Sequence, residues 1–162
     1  MVDARNKLLD IIDEFETAML VTTAGDDPPH ARPMSIVAVE PDGEFWFFSA
    51  RDADPVHEVE EDVRCTVTMQ GKRKFVSLRG EAQIVEDVRK IKELWTERLR
   101  PWFPVGPASP RISLIRFVPA EGEYWDVSGI EALRYVFRAG SALLRGKKMD
   151  DEDQRRHATI PL

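Results

Sequence analysis

The sequence predicts an α+β fold: an antiparallel barrel or sandwich with helices at the start, middle and end of the chain. Three observations carry this. Short apolar segments with strand-like alternation recur about six or seven times. They cluster along the chain, joined by short turns rich in Gly, Pro and Asp, rather than alternating one by one with helices. That pattern disfavours a doubly wound parallel sheet. No break in composition divides the 162 residues. Residues 1–148 therefore read as one domain, and 149–162 as a solvated, mobile tail.

The elements follow in order. Asp3 is placed to cap a helix from Ala4 to Glu16, with Leu8, Ile12 and Phe15 on one face. Ala18 to Thr23 is a short apolar strand, followed by the turn AGDDPP. His30 to Asp52 reads as a hairpin turning at Pro41-Asp42-Gly43. A short helix follows, with Asp54 as its expected cap and Pro55 in the first helical position. In VRCTVTM, Val63, Cys65, Val67 and Met69 face one side of a strand. The basic turn QGKRK leads into FVSLRGEAQIVE, where Gly80 suggests a bulge.

Asp87 caps the next predicted helix, whose buried stripe is Val88, Ile91, Leu94, Trp95 and Leu99. RPWFPVGPASP has too much Pro and Gly for a helix or central strand; its two aromatics argue for an ordered loop. RISLIRFVPAEGEYWDV supplies one or two strands, and EALRYVFRAGSALLRGKK a final helix.

Composition excludes several classes. With 43% apolar and 32% charged residues the chain is globular in type. Its net charge of -6 gives no general attraction for nucleic acid. The single cysteine, Cys65, precludes an internal disulfide and suits a reducing cytoplasm. The first residues lack the apolar core of a signal peptide, and no run of about twenty apolar residues could span a membrane. The basic residues Arg134, Arg138, Arg145, Lys147 and Lys148 could touch an anionic membrane, but ordinary spacing on the apolar face favours packing on the barrel, so no stable membrane association is expected.

The chain has no glycine-rich dinucleotide or Walker motif and no nucleophile elbow. Its three histidines are scattered and, with one cysteine, form no metal-ligand pattern. Cys65 reads as a packed core thiol. The run Glu58, Glu60, Glu61 and Asp62 reads as a solvated face.

The hairpin is more informative. Arg32 precedes Pro33, which cannot donate to a ladder, so this stretch is an edge or a barrel mouth. Phe45 and Phe47 alternate with Trp46 and Phe48, so both faces of the second strand are aromatic. One face can fill a core; the other needs a second subunit or a flat apolar ligand. Arg32, Ser49 and Arg51 near the strand ends suit a phosphate. The alternative is that both arginines are surface ion-pair partners of Asp52 or Asp54.

The stretches MLVTTAGDDPPHARPMSIV, GEFWFFSARD, RKFVSLRGEAQIVED, KIKELWTERLRPWFPVGP and EGEYWDV, in this order, resemble the general stress protein 26 branch of the pyridoxamine 5′-phosphate oxidase-like, FMN-binding split-barrel family. The resemblance implies a six-stranded Greek-key split β-barrel with flanking helices. It also implies a homodimer with FMN at the subunit interface and a flavoprotein of oxidoreductase type. Arg32 would contact the FMN phosphate or ribityl chain, and Pro33, Met34 and Ser35 the flavin. Phe48 and Ser49 would cover the ring edge and the phosphate. Trp95, Trp102 and Phe103 would lie near the isoalloxazine, with Trp125 a further candidate; core packing explains each aromatic equally well. Arg51 would help hold the phosphate if turned inward.

The chain departs from the family at one place. Where relatives carry a phosphate-neutralising lysine in a Ser-Pro-Lys-like segment, this chain has RDADPVHEV, with Pro55 or a neighbour at that position. An Asp54 cap would put a carboxylate where a helix start otherwise favours an anion. Two alternatives follow: a non-enzymatic dimer that has lost or weakened flavin binding, or the same pocket with another cofactor, such as a deazaflavin or, less readily, haem.

Overall fold

The computed structural model describes residues 3–127 and 157–162. Its elements are α1 (Ala4–Ile12), β1 (Thr17–Thr22), β2 (His30–Ser35), β3 (Ala38–Val39), β4 (Phe45–Ala50), α2 (Asp54–Glu61), β5 (Arg64–Gln70), β6 (Lys74–Val85), α3 (Val88–Leu94), a 3-10 turn at Glu97–Leu99, β7 (Ile112–Asp126) and β8 (His157–Pro161). All strand pairings are antiparallel, in the order β2-β1-β5-β6-β7-β4-β3, with β8 added to β7. This is the α+β split-barrel fold, with eight strands among the described residues instead of six.

The expected hairpin is corrected. Its first strand breaks at Ile36–Val37 and changes partner: β2 pairs with β1 along its whole length, and only Ala38–Val39 pairs with β4. The backbone N–H of Ile36 donates to Glu16, and that of Val37 to Trp46. One stretch of chain therefore supplies both ends of the sheet order, which is how the sheet curls toward closure. Pro33 is tolerated because β2 is an edge strand that pairs with β1 alone among the described residues.

The barrel interior is filled by alternate residues: Leu20, Phe45, Phe47, Val67, Leu78, Ile115 and Phe117, with Leu8, Ile11 and Ile12 of α1 and Val59 of α2. Burying each of these side chains contributes roughly 1.5–3 kcal/mol. A second cluster lies on the opposite face of β4, where Trp46 and Phe48 pack with Ile112, Leu114, Ile91, Leu99 and Phe103.

The longest strands meet at a bulge, with the register shifting between Arg79 and Gly80 as Gly80 faces Pro119. A Cβ at position 80 would sit 2.1 Å from the Val118 carbonyl oxygen, so only glycine fits. This explains how a proline is accommodated inside β7.

Several local expectations change. α1 stops at Ile12 instead of Glu16, because Glu16 already bonds to Ile36 as lead-in to β1; Asp3 makes no side-chain cap. Val63 lies outside β5 and is exposed, whereas Cys65, Val67 and Met69 are buried. Asp87 does cap α3, accepting from the N–H groups of Arg89 and Lys90. That helix ends at Leu94, leaving Trp95 at its C-terminal cap, Leu99 in the 3-10 turn and Val88 exposed. The segment 112–126 is one strand. At the C-terminus, His157–Pro161 joins the sheet beside β7 and buries Ile160, where a solvated tail was expected. The predicted helix over 131–148 lies outside the described residues. No helix among the described residues is long and apolar enough to cross a membrane.

Candidate functional site

Alternation along β4 puts Phe48 on the outer face of the sheet, together with Trp46. There Phe48 meets Trp95 edge-on, with ring centroids 6.2 Å apart, and Phe103 at 6.3 Å. These two rings arrive on the segment after α3. Trp95 is fixed by its indole N–H, which donates to Glu97 at 3.2 Å, and Arg100 also donates to Glu97. Hydrogen bonds from Arg100 and then from Trp95 hold the Glu97 carboxyl down to about 2. Arg100 further donates to the Pro104 carbonyl at 3.2 Å, and Gly106 turns the chain with φ +92. The Pro- and Gly-rich loop is thus ordered by hydrogen bonds and turns.

Between β2, β4, the start of α2 and this loop lies a cavity of about 360 Å³, lined by Pro33, Met34, Ser35, Phe48, Ser49, Ala50, Ala53, Pro55, Leu99, Trp102 and Phe103. Its volume falls in the range of small-molecule sites, about 300–1,000 Å³. Its wall is aromatic and aliphatic, with the Ser35 and Ser49 hydroxyls and, among the described residues, no charged side chain. Trp102 is 68% exposed at the rim.

The cavity brings together Pro33, Met34, Ser35, Phe48, Ser49, Trp102 and Phe103 from the sequence reading. Four other residues lie apart from it. Trp95 stands behind Phe48. Trp125 is far along β7, paired in register with Phe75. Arg51 falls in sequence between lining residues Ala50 and Ala53 but does not line the cavity; its Nε lies 3.2 Å from Glu86. Arg32 does not line the cavity. Its guanidinium is enclosed by Thr22, the Leu20 carbonyl and Glu58. Both arginines are ion-paired, but with Glu58 and Glu86 instead of Asp52 or Asp54; Asp52 lies 3.6 Å from Arg111.

The start of α2 also differs from expectation. Ala53 occupies the cap position, and Asp54 is the first helical residue, making no side-chain cap bond. Pro55 removes one donor, and the N–H groups of Val56 and His57 turn back to the Ala53 carbonyl. The carboxylate run after Pro55 is not one solvated face. The Glu58 side chain is partly buried, as is that of Asp62, which pairs with Arg64. Burial pushes the Glu58 carboxyl up, yet hydrogen bonds from Thr22 and His30 and the Arg32 charge leave it below its ordinary value.

Sequence reasoning missed the lining roles of Ala50, Ala53 and Leu99 and the burial of Glu58. One signal was present: Val56 and Val59 define the inner face of α2, and Glu58 immediately precedes Val59.

The lining suits a flat ring system, which aromatic and aliphatic walls can sandwich. An acidic tail would have the two serine hydroxyls of the wall, with Arg51 next to Ala50 in sequence. Among the described residues no group of His, Cys, Asp and Glu could hold a metal. Cys65 is no nucleophile: burial pushes its thiol up to about 11.

Comparison with known proteins agrees with this frame. A General Stress Protein 26 from Bacillus anthracis str. Sterne superposes with TM-score 0.66 at 23% identity, covering 74% of this chain and 92% of that one. A Clostridium acetobutylicum protein related to general stress protein 26 of B. subtilis, of the pyridoxinephosphate oxidase family, gives 0.68 at 16%, covering 77% and 91%. The general stress FMN/FAD binding protein of Xanthomonas citri gives 0.66 at 24%, covering 76% and 88%. No curated protein matches the sequence. The family model described as "Pyridoxamine 5'-phosphate oxidase like" matches residues 3–150. With the split barrel and a match over most of its length, the chain belongs to the pyridoxamine 5′-phosphate oxidase-like family.

Proposed function

We propose that this protein is a cytoplasmic FMN-binding flavoprotein of oxidoreductase type, working as a homodimer with the flavin at the subunit interface. The observation that carries the reading is the cavity itself: three separate segments, 33–35, 48–49 and 102–103, converge on one apolar space edged by hydroxyls. A fold relative described as an FMN/FAD binding protein supports the cofactor class. When bound, a flavin supplies the electron-transfer chemistry, and the protein supplies orientation and electrostatics. Phe48, Trp102 and Phe103 would hold the ring and exclude water from its faces. Ser35 and Ser49 would donate to the polar chain, and Arg51 would meet the phosphate from the rim. The exposure of Trp102 supports a second copy covering this side.

The test is titration of FMN against the purified protein, with visible spectrum, flavin fluorescence and molar mass in solution. Saturable quenching at one flavin per chain, in a species of twice the chain mass, is the expected result. A colourless dimer that leaves flavin fluorescence unchanged across the micromolar range would overturn the reading.

One observation favours a second reading, a dimer in which flavin binding is weakened or lost. No cation lines the cavity among the described residues, and the donor lost at Pro55 thins the helix start that would otherwise face a phosphate. Under that reading FMN gains nothing over riboflavin, and neither turns over with any electron donor.

A further inference from the structure

Beside the cavity lies a polar cluster that the ligand site does not use. Thr22 ends β1, His30 and Arg32 lie on β2, and Glu58 lies on α2. One Glu58 oxygen accepts from the Thr22 hydroxyl and from one terminal amino group of Arg32; the other faces Nδ1 of His30 at 3.1 Å. The second terminal amino group of Arg32 donates to the Thr22 hydroxyl oxygen and, at 3.5 Å, to the Leu20 carbonyl. The Arg32 and Glu58 side chains are 14% and 18% exposed.

The placement of this cluster matters. Arg32 immediately precedes Pro33, and Glu58 lies three residues after Pro55, on the same face of α2. Pro33 and Pro55 both line the cavity. The cluster therefore joins two of its walls. α2 is short: eight residues, no side-chain bond at its N-cap, Val56 and Val59 as its buried residues, and a Thr23 hydroxyl donating to its C-cap Asp62 at 3.3 Å. A helix this short is not stable by itself. Removing one partner of this partly buried ion pair leaves the other without its counter-charge, so the pair resists opening.

We infer that Glu58 is a positioning residue for the cavity: it engages Arg32 within the protein, clasping α2 to β1 and β2, so that Arg32 supports a wall instead of contacting the ligand's phosphate. The inference rests on the proposed flavin site for its effect on binding, and on the protein alone for its effect on α2.

The experiment compares wild type with Glu58→Gln, Arg32→Gln and the double variant. Affinities for FMN and for riboflavin are measured alongside hydrogen exchange of the 53–61 amides in ligand-free protein. The expected result is that each single variant weakens both flavins by the same factor, on the order of tenfold, and that the double variant is no worse than either single. The ratio of FMN to riboflavin affinity stays constant, and exchange accelerates in 53–61 while β6 is unchanged. A merely structural role would accelerate exchange everywhere. Selective loss of FMN in Arg32→Gln would overturn the inference by making Arg32 a phosphate contact, as would unchanged flavin affinity in Glu58→Gln. If wild type binds neither flavin, the cofactor reading fails by itself. Exchange then decides the clasp, and unchanged protection of 53–61 overturns it. Should Glu58→Gln not fold, Thr22→Val removes one hydroxyl from the cluster and is expected to move the same readouts in the same direction by less.

Discussion

Strand β4 carries two aromatic faces that differ in what covers them. Phe45 and Phe47 point inward and are fully buried; the Phe45 ring lies 6.0 Å from Phe117 and 6.1 Å from Phe47. Phe48, their neighbour in sequence, points outward. It is 8% exposed, covered by Trp95 and Phe103, and borders open space. The residue type is the same; the cover is not. The inner face is closed by α1 and the curled sheet, which pack it from all sides. The outer face is closed by α3 and an irregular loop, which leave a gap beside Ser49. An aromatic strand becomes a binding surface where its cover is incomplete.

The largest expected effect breaks the inner face. Phe47→Ala should cost about 3–5 kcal/mol, because the surrounding barrel cannot collapse into the void. Urea unfolding would show it as a lower midpoint with an unchanged slope. A loss below about 1 kcal/mol would mean that the two faces are alike. Phe48→Ala should cost less, about 2 kcal/mol, since one side of its ring already faces the cavity. It should weaken flavin binding as well, which Phe47→Ala should do only in proportion to unfolding.

Trp102→Ala sharpens the contrast further. At 68% exposure it should shift stability by no more than about 0.5 kcal/mol. It should still reduce FMN affinity about tenfold, read as a rightward shift of the quenching titration. An unchanged titration would place the ring system elsewhere.

The smallest effect concerns acid. The Glu58 carboxyl is depressed in the folded chain from an ordinary 4.5 by Thr22, His30 and Arg32 acting against burial. Its stabilisation is therefore full above pH about 4.5 and fades as pH falls through the lower folded value. Unfolding midpoints taken from about pH 7 down to about pH 3 should decline less steeply for Glu58→Gln than for wild type. Equal slopes would show that Glu58 is not the carboxylate responsible.

Much of this was legible in sequence because it depends on local pattern. Alternation set the buried faces of β4 and β5, Asp87 announced its helix, and Gly80 its bulge. The order of R-P-M, W-F-F-S and L-W-x-x-x-L-x-x-W-F-P pointed to the family that the match over 3–150 establishes. The misses are equally local in origin. Asp54 looked like a cap by residue type, but Ala53 holds that backbone position. Glu58 looked solvated because its neighbours in the run are charged.

By itself, then, the sequence determined which residues alternate, where turns fall and which family the chain joins, since period, turn chemistry and motif order are properties of short segments. Tertiary structure alone decided that 30–39 serves two ends of one sheet and that segments 33–35, 48–49 and 102–103 meet around a cavity. It also decided that Arg32 faces Glu58, 26 residues away, instead of the cavity. These are choices among distant partners, made when the sheet curls and buries charge only where a counter-charge waits.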